Sequence, residues 1–284
     1  MAISAHSHYS AEPGRLILRR DIKRAKKRKR AVRLLCAGIV GTICFSAYIA
    51  VYLINNRRDQ AYYKSLSESF APPAEIAADP VLQWEEPARP LESRQVNRTS
   101  VMDFESRRNE APGIEGWIKI DGTQINYPIM RASDNDYYLT RLPNGTRSSS
   151  GSIFMDYRNS PDFSNRNTLI YGHRMRSGAM FGTLRYYGNQ SFYDKHPTVS
   201  IFTPRGDFEV ELIAGYAFDQ TKETVPLRFD NEEDFDKYIA DARRRSTFKS
   251  DVEVKAVDRL VTLATCEYSY NDGRLVIVGK LVEK

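Results

Sequence analysis

Cys266 and Arg274 stand eight positions apart in TLATCEYSYNDGR, Thr262 to Arg274, near the end of a 284-residue chain. A thiolate attacks carbonyl carbons, and a guanidinium offers several fixed N–H donors to the oxyanion that forms. The pair therefore points to acyl transfer. Cys36 and Cys44 both lie in an apolar N-terminal segment, so Cys266 has no disulfide partner in the folded part. A free cysteine is often just a small buried hydrophobe. Here the flanking residues Thr265 and Glu267 are polar and the position is a strand end, which suits core filling poorly and marks a reactive thiol.

A nucleophilic cysteine needs a base. His6 and His8 fall in a patternless N-terminal stretch and receive no function, which leaves His173 and His196. His196 precedes Pro197, which forces an extended or turn backbone, and reads as a surface histidine. His173 ends the apolar run of NTLIYGHRM and opens the loop RMRSGAMFG, the kind of position where scaffolds hold catalytic groups. No Cys or His pair has metal-ligand spacing, and neither a metal nor another cofactor is expected.

These residues must be positioned by strands. Arg259 to Thr265 alternates and is β-rich, and Arg274 to Val282 reads RLVIVGKLV, so Cys266 and Arg274 fall at the facing ends of two strands joined by a polar turn. GWIKIDGTQINYPIM forms two short strands about Asp121-Gly122. GSIFMDYRN and NTLIYGHRM are further strands, and SFYDKHPTVSIFTPRGDFEVELIAGYAF supplies more pairs about the Pro204 to Asp207 turn. Many short strands predict a mainly β barrel or sandwich. One helix interrupts them, Asp230 to Ser246, with Phe235, Tyr238, Ile239 and Ala242 on one face, acids in its first turn and Arg243 to Arg245 in its last. It either packs on the barrel or walls a binding groove.

The N-terminal part is of another kind. Leu34 to Ile54 holds 21 residues without a charge. As a helix at ~1.5 Å per residue it spans about 31 Å, matching the ~30 Å apolar core of a bilayer. It exceeds the apolar region of a cleaved signal peptide and has no clear cleavage site after it, so an uncleaved transmembrane anchor is expected. Ten Lys and Arg lie between Arg19 and Arg33, against Arg57, Arg58 and Lys64 in the twenty residues beyond. That bias predicts a cytoplasmic N-terminus and an extracellular remainder at the cell membrane. Net charge is +6, but residues 1 to 33 carry +9 and the rest therefore −3. The basicity belongs to the tail, which excludes a nucleic-acid-binding role for the folded part. The expected organisation is a basic tail (1–33), an anchor (34–54), a stalk (55–100) rich in APPAEIAADP-type breakers with helix about Arg57 to Phe70, and a catalytic domain (101–284).

TLATC with an arginine eight residues on resembles the TLxTC motif and downstream arginine of the sortases, membrane-anchored cysteine transpeptidases of Gram-positive bacteria. GSIFMDYRN, TLIYGHRM, SGAMFGTLRYY and the long helix before the cysteine strand resemble class B sortases in particular, over about Pro112 to Lys284. The resemblance implies an eight-stranded sortase-type β-barrel with added helices. It implies Cys266 as nucleophile, His173 as the histidine that protonates the leaving amine, and Arg274 as the oxyanion or substrate-positioning cation. The implied reaction cleaves a C-terminal sorting signal after threonine through a thioester and passes the surface protein to an amine of a peptidoglycan precursor or cross-bridge. It also suggests Asn135 and Leu139 in SDNDYYL as groove residues, Tyr238 and Ile239 as the opposite wall, and Thr265 as a hydrogen-bond partner of the bound carbonyl. Class B enzymes commonly carry TLSTC, where this chain has Ala264, so any contribution of that serine hydroxyl is absent. A pilin-polymerising sortase, a surface protease releasing its product to water, and a tethered binding module with a structural cysteine are the alternatives.

Overall fold

The computed structural model describes residues 13–70, 104–267 and 273–284. His6, His8, most of the expected stalk and the turn between Cys266 and Arg274 lie outside them. The chain divides into two compact units, Met1–Arg57 and Arg58–Lys284. Helix α1 (Pro13–Phe70) begins at a proline, tolerated in a first turn because its missing N–H has no helical partner there, and meets no other proline along its length. In the first unit its apolar stretch exposes side chains such as Leu34, Ile43 and Phe45 to the surroundings. By length and composition this helix can cross a membrane.

In the second unit the described strands are β1 (Ile114–Lys119), β2 (Asn126–Met130), β3 (Ile153–Met155), β4 (Asn167–Tyr171), β5 (Thr198–Thr203), β6 (Gly206–Asp219), β7 (Arg259–Glu267) and β8 (Gly273–Glu283). They close as a barrel in the order β1-β2-β3-β4-β7-β8-β6-β5, which leaves no open edge for stray pairing. Most neighbours are antiparallel, whereas β2 and β3, and β4 and β7, run parallel. Alternation sorts the side chains. Ile118, Ile170, Ile201, Leu212, Leu263 and Ile277 meet in the main core, while Leu169, Ala264, Val276 and Val278 face a second core covered by α3 (Glu232–Arg245).

Helix α3 has the predicted form. Asn231 caps it by accepting from the Asp234 N–H, and Phe235, Ile239 and Ala242 are its buried stripe. The segment read as part of a strand pair at SFYDK is instead α2 (Gln190–Lys195), after a 3-10 helix, Phe181–Gly188. The Asn189 side chain accepts from the Ser191 N–H and starts α2, and Pro197 follows its end. His196 is half-buried there, its ring 4.5 Å from that of Phe192.

The second unit also takes in the last turns of α1, where the sequence suggested a stalk from residue 55. Asp59, Tyr63 and Leu66 are buried. Leu66 joins Ile114, Trp117, Met130 and Phe154 in a third core, and Tyr63 joins the main one.

Candidate active site

Three adjacent strands set the site. In the parallel pair β4 and β7, Tyr171 is level with Ala264, and the Gly172 N–H donates to the Ala264 carbonyl at 3.1 Å. Two residues on come His173, just past the end of β4, and Cys266, still within β7. In the antiparallel pair β7 and β8, Cys266 is the direct partner of Arg274. Backbone register thus brings positions 173, 266 and 274 to one rim across β4, β7 and β8, with neighbouring strands about 4.8 Å apart.

The His173 ring Nε2 lies 2.7 Å from the Leu139 carbonyl oxygen. The carbonyl can only accept, so Nε2 carries a proton in this contact and the ring is held by it. The histidine main chain is held as well, because the Phe181 N–H donates to the His173 carbonyl at 3.0 Å. Leu139 belongs to the 3-10 turn Tyr137–Thr140. Its side chain is half-buried against the third core, and its polar contact with the site is made by its backbone.

Asn135 is committed within the protein. Its Nδ2 donates to Asp156 Oδ2 at 3.0 Å and its Oδ1 accepts from the Tyr157 N–H at 3.0 Å. Asp156 is fully buried. It accepts from Arg158 Nε and Nη2, each at 2.8 Å, and from the Tyr171 hydroxyl at 3.0 Å. Burial alone would raise its carboxyl; the Arg158 fork and the Asn135 amide outweigh that and hold it below the ordinary value. Burial, then the Asp156 charge, pushes the Tyr171 hydroxyl up.

A cavity of about 200 Å³ opens beside this network, lined among others by Arg158, Tyr171, Phe218, Glu223, Val225 and Arg274. Ala264 lines it too, which puts the position of the departure from TLSTC on the cavity wall. Its outer wall is the segment that follows β6, which the sequence did not mark. Arg245 at the end of α3 fixes that segment, donating to Glu223 at 2.6 and 2.8 Å and lying over the Tyr216 ring. Tyr238 and Ile239 sit behind the wall. Ile239 is in the second core, and the buried Tyr238 hydroxyl is raised by desolvation and by Tyr216. Thr265 is 3% exposed, and its hydroxyl has no partner among the described residues.

A sortase family model, described as a sortase domain, matches residues 118–282. Sortase B of Listeria monocytogenes is 42% identical over 171 residues, 60% of this chain and 70% of that protein. Sortase B of Staphylococcus aureus is 30% identical over 247 residues, 86% of this chain and 93% of that protein. Among solved structures, a Staphylococcus aureus sortase B-substrate complex aligns with a TM-score of 0.67 at 29% identity, covering 81% of this chain and 99% of the other. A Bacillus anthracis protein similar to sortase B aligns with a TM-score of 0.66 at 32% identity, covering 80% and 97%. The region matched by the family model runs from the end of β1 almost to the end of β8 and takes in the rim where positions 173, 266 and 274 meet, and by these matches the chain belongs to the sortase family of cysteine transpeptidases, with class B enzymes as its relatives.

Proposed function

We propose that this sortase cleaves a C-terminal sorting signal after threonine and transfers the surface protein to an amino group of a peptidoglycan precursor or cross-bridge. The Cys266 thiolate attacks the scissile carbonyl and a C–S bond forms. Arg274 donates to the resulting oxyanion. As the tetrahedral intermediate collapses, His173 gives its proton to the departing amine, the C–N bond breaks and a thioester remains. An incoming amine attacks that thioester, returns a proton to His173 and releases the thiolate.

The observation that carries this reading is the register: Tyr171 with Ala264 and Cys266 with Arg274 bring three chemically matched residues to one rim. The cavity beside Arg274 suits the segment of the signal before the scissile bond. In this reading Gln220, Glu223, Thr224 and Val225, which line the cavity, act as the groove wall, and Tyr238 and Ile239 support that wall from behind. Asn135 acts by holding Asp156, and Thr265 offers its free hydroxyl to the bound carbonyl. Residues 34–54 serve as the anchor, residues 1–33 as the cytoplasmic tail, and the barrel works outside the cell.

Incubating the enzyme with a sorting-signal peptide library and an added oligoglycine amine tests the reaction. Mass spectrometry is expected to find a thioester on Cys266 and amine-capped product, both lost in Cys266→Ala. Free acid as the sole product would instead indicate a protease, and product formed by Cys266→Ala would overturn the nucleophile.

A further inference from the structure

We propose that Tyr63 and Asp59, on the last turns of α1, are positioning residues for His173. The proposal rests on the reading of His173 as the catalytic histidine. The loop 138–152 on one side and the Tyr127 ring with Met180 and Phe181 on the other link them to it. The Tyr63 hydroxyl donates to the Gly151 carbonyl at 2.6 Å. The Asp59 carboxylate accepts from the Ser148 and Ser150 hydroxyls, the latter at 2.9 Å. The same loop folds back on the turn that carries Leu139: the Ser152 N–H donates to the Tyr138 carbonyl at 2.9 Å and the Ser148 N–H to the Thr140 carbonyl at 3.0 Å. The Leu139 carbonyl, between those two, receives the His173 Nε2–H. Three hydrogen bonds from a helix that the sequence set apart from the barrel thus hold the loop that positions the acceptor of the imidazole.

Tyr63 reaches the other side of His173 as well. Its ring meets Tyr127 edge to face at 5.1 Å between centroids. The Tyr127 hydroxyl accepts from the Met180 N–H at 3.2 Å, and the next residue, Phe181, donates its N–H to the His173 carbonyl. One side chain, 3% exposed, braces both the acceptor of the ring proton and the loop that returns to the histidine. A purely structural contact needs neither link. Buried groups of this kind act in concert because removing one leaves its partner unsatisfied.

The test uses the full-length protein in detergent micelles, with Cys36→Ala and Cys44→Ala so that Cys266 is the one thiol. Iodoacetamide alkylation reads the thiolate that an aligned imidazolium sustains, and the exchange rate of the imidazole Nε2–H resonance reads the bond to Leu139. Tyr63→Phe and Asp59→Asn keep the packing and are each expected to slow alkylation about three- to tenfold and to speed Nε2–H exchange. Ile201→Val, in the core on β5, controls for lost stability; it lowers the melting temperature and moves neither readout. If both α1 variants match that control, the positioning role is overturned, and Asp59→Asn alone decides it should Tyr63→Phe not fold. If His173→Gln itself leaves alkylation at the wild-type rate, what falls is the catalytic reading of His173.

Discussion

The imidazole of His173 and the backbone carbonyl of Leu139 are joined at 2.7 Å, although 34 residues separate them. A backbone acceptor resists substitution, because any residue at 139 supplies the same oxygen. What can be changed is the place where that oxygen sits.

Gly151 controls it. Its φ is +57°, and a Cβ there would stand 2.5 Å from the Leu139 oxygen and 2.7 Å from the Tyr138 oxygen. Neither oxygen can swing aside like a side-chain tip, so the turn would have to move. Gly151→Ala is expected to cost about 2 kcal/mol or more of stability and to lower turnover further than that loss explains. Thermal melts beside steady-state peptide cleavage check it; a stable variant of normal turnover contradicts the close approach.

Much of this site was legible in the sequence. The alternation in Arg259 to Thr265 and in Arg274 to Val282 placed Cys266 opposite Arg274, and β4 delivered His173, because strand period and turn residues are local signals. The groove wall was not legible. TKETVPLR, after β6, has no period, and its shape depends on Arg245 reaching back to Glu223 from 22 residues away. The apolar stripe of α3 was visible, but such a stripe usually marks the side turned to the core, and Ile239 lies there. The docked end of α1 left a fainter trace: Asp59, Tyr62, Tyr63 and Leu66 recur at helical spacing in an otherwise polar run.

Asp156 gives the protein an acid-sensitive joint. Its carboxyl is held below the ordinary value, so the stability it contributes is complete above the unfolded value of about 3.9 and is lost as pH falls through the lower folded value. Asp156→Asn is expected to melt below the wild type at neutral pH, because the Arg158 fork and the Asn135 amide lose a charged acceptor. That gap should narrow as pH falls below the unfolded carboxyl value of about 3.9 and through the lower folded one. Melting curves across the range decide it, and a gap of constant size would remove Asp156 from the acid response.

Arg274 should not tolerate lysine. Paired with Cys266 on the neighbouring strand and lining the cavity, it can direct two parallel N–H groups at one oxyanion, which a single ammonium cannot reproduce. Arg274→Lys is expected to lower kcat about 100-fold, in line with the loss of one oxyanion donor, with a smaller change in KM. Kinetics on a cleavable peptide would show it; unchanged turnover takes Arg274 out of the site.

Thr265 separates stability from activity most sharply. Its buried hydroxyl has no partner among the described residues, and a buried hydroxyl left without one costs about 1–3 kcal/mol. Thr265→Val keeps the shape and removes that cost, so the melting temperature should rise. If the hydroxyl donates to the substrate carbonyl, the same change lowers kcat/KM by about tenfold, the equivalent of one hydrogen bond of roughly 1.4 kcal/mol. Opposite movements of the two quantities are the expected result, read from a thermal melt and a peptide assay on one preparation. A variant that gains stability and keeps its full kcat/KM would leave Thr265 a packing residue and nothing more.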